Sequence, residues 1–96
     1  MNDLTFLTTL EAVIAQRMKA STEESYTARL AAGGLLTVAQ KLGEEGLETA
    51  LAAVAETPQR VVVEASDLVY HLLVLLRLSN LSLADVVAEL ERRHRP

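Results

Sequence analysis

The chain has 96 residues, half of them apolar, with only three aromatics, no cysteine and a formal net charge of −4. This length suits one small domain over residues 1–96, with a thin core, because so short a chain buries only about 60–65% of its unfolded surface. The missing cysteines exclude disulfides and thiolate metal sites, the acidic balance argues against nucleic-acid binding, and charge interrupts every apolar run before it reaches a membrane-spanning length.

A first helix is predicted over about residues 3–19, where Leu4, Phe6, Leu7, Leu10, Val13, Ile14 and Met18 recur at helical spacing. Asn2 or Asp3 is placed to cap it. This stretch has neither a basic start nor a continuous apolar run, so no signal peptide is expected and a cytoplasmic protein is the default. A polar loop follows. Ser25 or Thr27 is positioned to cap a short helix over about residues 28–32, ended by Gly33 and Gly34. As an ordinary connector this segment needs no ligand; with free N–H groups and Arg29 beside it, it also suits an anion.

The next helix is predicted over about residues 36–56. Leu36, Ala39, Leu42 or Gly43, Leu47, Ala50, Leu51 and Val54 form its apolar side. Gly43 and Gly46 lie inside it at a propensity cost of about 1 kcal/mol each, which suggests close approach of a backbone or ligand, or plain packing. Thr57-Pro58 ends it. A helix over about residues 59–78 is apolar nearly all round, so it belongs at the centre or in a subunit interface. Asn80 stops it. Ser82 to Asp85 resembles a capping box, opening a last helix over about residues 83–93. The C-terminal basic run from Arg92 to Arg95 complements the dipole of that helix. The expected fold is all-α: an antiparallel bundle of four main helices plus the short connector, completed by homodimerisation.

Two stripes stand out. Lys41, Glu44, Glu45 and Glu48 fall within about 100° on one helix, and Glu64, Asp67 and His71 within about 60° on the next. Five carboxylates on apposed helices repel one another in a low dielectric, and Lys41 and His71 supply too little positive charge. An unpaired buried carboxylate is costly, so a cation is the natural partner. Mg²⁺ suits oxygen ligands and commonly bridges protein carboxylates to phosphates. Each acidic pair alone is what a solvated helix face or a structural network carries. Two pairs at three-residue spacing on consecutive helices, one of them highly apolar, point to a metal site for a polyphosphate.

The segments Ser25-Tyr26-Thr27-Ala28-Arg29-Leu30, Lys41-Leu42-Gly43-Glu44-Glu45-Gly46-Leu47-Glu48 and Glu64-Ala65-Ser66-Asp67-Leu68-Val69-Tyr70-His71 resemble phosphoribosyl-ATP pyrophosphatases, the second-step enzymes of histidine biosynthesis. The paired acidic motif also marks the wider all-α nucleotide pyrophosphohydrolases; the Ser-Tyr-Thr and Tyr-His segments are the more specific part. The resemblance implies Mg²⁺-dependent hydrolysis of 1-(5-phospho-β-D-ribosyl)-ATP to the AMP compound and pyrophosphate. It implies Glu45, Glu48, Glu64 and Asp67 as metal ligands, with Glu44 or Glu45 acting on the attacking water. It places Ser25, Tyr26, Thr27, Arg29, Lys41 and His71 near the substrate. Relatives fused to a zinc-dependent cyclohydrolase exist, and the missing cysteines imply the stand-alone form. A nucleotide-clearing pyrophosphohydrolase and a non-catalytic oligomerisation module are the alternatives.

Overall fold

The computed structural model describes residues 3–96 and contains five helices, with no strand among the described residues. They are α1 (Phe6–Arg17), α2 (Tyr26–Ala32), α3 (Gly34–Ala55), α4 (Pro58–Leu78) and α5 (Leu83–His94). The all-α expectation holds, and each boundary has a local cause.

α1 starts three residues later than its periodicity suggests. The Asp3 carboxylate accepts from the Thr5 N–H at 2.9 Å and from its hydroxyl at 2.6 Å, which fixes a turn ahead of the helix. The alternative cap, Asn2, lies outside the described residues. α2 starts earlier than expected because Ser25, not Thr27, is the cap: Ser25 Oγ accepts from the Ala28 N–H at 3.1 Å. The same hydroxyl donates to the Arg17 carbonyl at 3.2 Å, tying α2 to the end of α1. Gly34, at φ +86°, turns the chain between α2 and α3 in a left-handed conformation that a side chain resists.

α3 and α4 form the dominant interface, an antiparallel hairpin joined at Glu56-Thr57. Thr57 caps α4 by accepting from the Arg60 N–H at 3.3 Å, and Pro58 takes the first helical position. α4 ends in a Schellman motif. Asn80 adopts φ 59°, Leu81 N–H reaches the Leu76 carbonyl at 2.8 Å, and Asn80 N–H reaches that of Arg77 at 3.1 Å. In the capping box of α5, the Ser82 N–H donates to Asp85 Oδ2 at 2.9 Å. The Leu83 N–H donates to Glu11 Oε2 at 2.8 Å, anchoring α5 to α1.

The core is Ile14, Leu30, Val38, Leu73, Val74 and Leu76. It gathers around the C-terminal half of α4, where α1, α2 and α3 converge. The apolar side assigned to α3 faces the other way from the one a monomer would bury. Val38 and Ala52 are buried, with Leu42, Glu45 and Thr49 between them partly covered, while Leu36 is 82% exposed, Leu47 62% and Val54 86%. The inner face therefore combines Val38, Leu42 and Ala52 with an acid, and the larger stripe of leucines points outward. Gly43 has nothing within 4 Å of where a Cβ would stand, and at Gly46 a Cβ would make only ordinary contact with Leu68. Neither glycine marks a tight approach within the chain.

Gly34→Ala should destabilise the protein by about 1–2 kcal/mol, the cost of a left-handed alanine, since no atom lies close enough to clash. Urea unfolding followed by circular dichroism measures this. An unchanged midpoint would mean that the α2–α3 junction relaxes to a different turn.

Candidate active site

Antiparallel pairing of α3 with α4 brings Glu45 and Glu48 opposite Glu64. One carboxylate oxygen from each can be chosen such that all three lie within 4.8 Å of one another. Glu64 is buried, at 7% exposure, and Glu45 is partly buried. Glu45 Oε2 and Glu64 Oε2 are buried oxygens with no hydrogen-bond partner. Buried polar atoms in folded proteins are nearly always paired, so two orphaned acceptors on facing carboxylates call for a ligand that supplies positive charge. Hard oxygen donors in this arrangement suit a divalent cation.

Sequence reasoning missed one cation at this site. Arg60, on the first turns of α4, forms an ion pair through Nη2 with Glu64 Oε1, and its Nε lies 3.5 Å from Glu56. The signal was present as an Arg60-to-Glu64 spacing of one helical turn. Arg60 engages one Glu64 oxygen and leaves the other bare. Lys41, the base expected to help, is exposed and forms no ion pair among the described residues. Glu44 and Asp67 are exposed and lie outside the trio, although the Asp67 charge is felt at Glu64.

The Ser25-Tyr26-Thr27 segment meets α4 further along. The Tyr26 hydroxyl lies 3.1 Å from His71 Nε2, and His71 Nδ1 lies 2.7 Å from the Asp67 carbonyl. A carbonyl only accepts, so Nδ1 carries the proton and Nε2 accepts from Tyr26. His71 is thus buried with both nitrogens engaged. Thr27 Oγ1 and the Tyr70 hydroxyl are 2.5 Å apart. Arg29 donates to the Thr22 carbonyl at 2.8 Å, and its guanidinium lies 6.0 Å from the centre of the Tyr26 ring. These contacts lock α2 onto α4 about two helical turns along from Glu64.

An α-helical hairpin with carboxylates crowded across its seam is what the resemblance to all-α nucleotide pyrophosphohydrolases implies. More narrowly, the chain belongs to the phosphoribosyl-ATP pyrophosphohydrolase family, whose pattern matches residues 7–94. A phosphoribosyl-ATP pyrophosphatase of Pyrobaculum calidifontis is 58% identical over 84 residues, covering 88% of this chain and 89% of the relative. That of Pyrobaculum islandicum is 57% identical over 86 residues, covering 90% and 92%. The histidine biosynthesis bifunctional protein HisIE of Pasteurella multocida is 52% identical over 92 residues, 96% of this chain but 46% of that protein.

The proximity of Glu48 and the effect of burial hold the Glu64 carboxyl above its ordinary range, while Arg60 pulls the other way. A carboxyl raised on folding contributes fully below its unfolded value, here 4.5, and that contribution is lost as pH rises through the folded value. In the absence of divalent ions, Glu64→Gln should therefore melt together with the wild type in acid and above it at about pH 8. Circular dichroism melts in chelator across this range test the sign. A variant that melts lower than the wild type at alkaline pH would show that the Arg60 pair outweighs the crowding.

Proposed function

We propose that the chain hydrolyses 1-(5-phospho-β-D-ribosyl)-ATP at the anhydride between its α and β phosphates, releasing pyrophosphate and the corresponding AMP compound. The observation that carries this reading is the trio Glu45, Glu48 and Glu64, with two buried, partnerless oxygens, in a chain of this family. The names of the relatives supply the substrate and the place in histidine biosynthesis. The cytoplasm is the proposed location, because a biosynthetic enzyme of this kind meets its nucleotide there.

Glu45, Glu48 and Glu64 would hold Mg²⁺, with Asp67, one turn along α4 from Glu64, as the fourth acid of the set. Bound there, the ion would offset charge on the triphosphate and lower the pKa of an attacking water. The chain's own groups do the rest. Glu44 stands next to the trio without joining it, which leaves its carboxylate free to orient that water and accept its proton; Glu45 is the alternative base. Lys41, one turn before Glu45, offers a mobile point charge to the phosphates. Arg60 leaves Glu64 for a phosphate oxygen as the substrate arrives, so its charge stays within the site. His71, with both nitrogens occupied, fixes Tyr26 and the α4 backbone instead of touching phosphate.

With Mg²⁺, the protein should release pyrophosphate from phosphoribosyl-ATP, and chelator should abolish the reaction. Glu48→Ala and Asp67→Ala should each lower kcat about 100-fold or more while the helical circular dichroism signal persists. A wild-type rate in either variant would remove that residue from the site. Equal rates on ordinary deoxynucleoside triphosphates would favour a nucleotide-clearing enzyme instead.

We further propose a homodimer that buries the outward stripe of Leu36, Leu47, Leu51 and Val54 on α3 together with Val62 and Val63 on α4, all exposed in the single chain. So many exposed large apolar side chains are unusual for a small monomer. Light scattering at micromolar protein should give twice the chain mass, and Leu47→Glu should give the monomer mass. A wild-type monomer would discard the assembly.

A further inference from the structure

A cavity of about 620 Å³ opens between the end of α1, the start of α2 and α4, and none of the acidic trio lines it. Its walls include Arg17, Glu24, Ser25, Tyr26, Thr27 and Tyr70. The volume is that of a small-molecule site. Tyr26 connects the two regions, since it lines the cavity while its hydroxyl meets His71, which stands seven residues, or about 10 Å, along α4 from Glu64.

The proposed substrate has phosphate at both ends: the triphosphate that reacts, and a monoester on the added ribose. Carboxylates that gather cations suit the first and repel the second. The far end needs its own cation at a distance, and Arg17 is the one arginine or lysine lining the cavity. It forms no ion pair among the described residues, although Glu24 lines the same space. Arg29 nearby is held by the Thr22 carbonyl. The Arg17 charge reaches Tyr70, where it opposes the upward push of burial on the phenol.

Resting on the function proposed above, we propose that this cavity receives the 5-phosphoribosyl arm, with Arg17 binding its phosphate monoester. Arg17 matches a phosphate's oxygens with paired N–H donors. The bond between Thr27 and Tyr70 uses one of their two hydroxyl protons, so the other is free for a phosphate oxygen. Glu24 accepts from the ribose hydroxyls, which distinguishes a phosphosugar from free phosphate. Arg17 is thereby a specificity residue: it binds the part of the substrate that ordinary ATP lacks.

The test is steady-state pyrophosphate release from phosphoribosyl-ATP with Mg²⁺, on the full chain. Arg17→Ala should raise KM about 10-fold to 100-fold with kcat changed little, the signature of lost binding remote from the reacting bond. Arg17→Lys should recover part of that loss. Ribose 5-phosphate should inhibit the wild type competitively and the alanine variant far more weakly. Arg17 is exposed and only its backbone carbonyl holds Ser25, so the variants should keep the wild-type melting curve. An unchanged KM in Arg17→Ala, or a fall in kcat alone, overturns the assignment while the proposed function stands. A wild type inert on phosphoribosyl-ATP overturns both.

Discussion

Across the seam of α3 and α4, Glu45, Glu48 and Glu64 each bring a carboxylate oxygen within 4.8 Å of the other two, a crowding of like charge that favours a counterion. Arg60 neutralises one oxygen of Glu64 and leaves the opposite one bare. The hairpin fixes this arrangement. Pro58 and the Thr57 cap start α4 directly after α3, and two helices joined so tightly must lie side by side. Glu45 and Glu48, three residues apart on α3, then share a face opposite Glu64. The site is therefore set by the hairpin backbone, and its local repulsion is overcome by packing elsewhere.

That packing lies further along α4. Val74 and Leu73 sit where α1, α2 and α3 meet, with His71, Tyr26, Tyr70 and Thr27 forming a polar and aromatic layer between core and acids. This layer explains why two segments more than forty residues apart go together. Ser25 ties α2 to α1, Thr27 pairs with Tyr70, and Tyr26 pairs with His71, so the register of α2 on α4 is fixed by polar contacts of defined direction as well as by apolar fit.

Much of this is legible in the sequence where the cause is local. Caps and stops announce themselves: Thr57-Pro58, Asn80 and the Ser82–Asp85 box all act where their chemistry suggests. The two acidic stripes were readable from spacing, and three of their members do come together. The failures are of another kind. Ser25 and Thr27 are equivalent as caps by residue type, and tertiary bonds tell them apart: Ser25 is tied to Arg17, and Thr27 is taken up by Tyr70. Periodicity drew the apolar stripe of α3 but could not say which way it faces, because the inner face mixes Glu45 with Val38, Leu42 and Ala52 while the outer one holds most of the leucines. Arg60 was left out of the charge count, which gave α4 only His71, although it stands one turn from Glu64.

The orientation of α3 links the site to the rest of the molecule. A helix that turned its leucines inward would bury more apolar surface within one chain, but it would carry Glu45 out to solvent and break up the trio. The observed orientation keeps the acids facing one another and leaves Leu36, Leu47 and Val54 in water. Burial of apolar side chains is worth about 1.5–3 kcal/mol each, so the forgone burial is large for a domain of this size. Such an orientation is stable if something else covers the outer stripe. In the homodimer proposed above a second copy would cover it by symmetry, since one helix face meets its own equivalent across a two-fold axis. On this argument the proposed chemistry of the inner face and the proposed assembly through the outer face are two consequences of a single rotation of α3 about its axis.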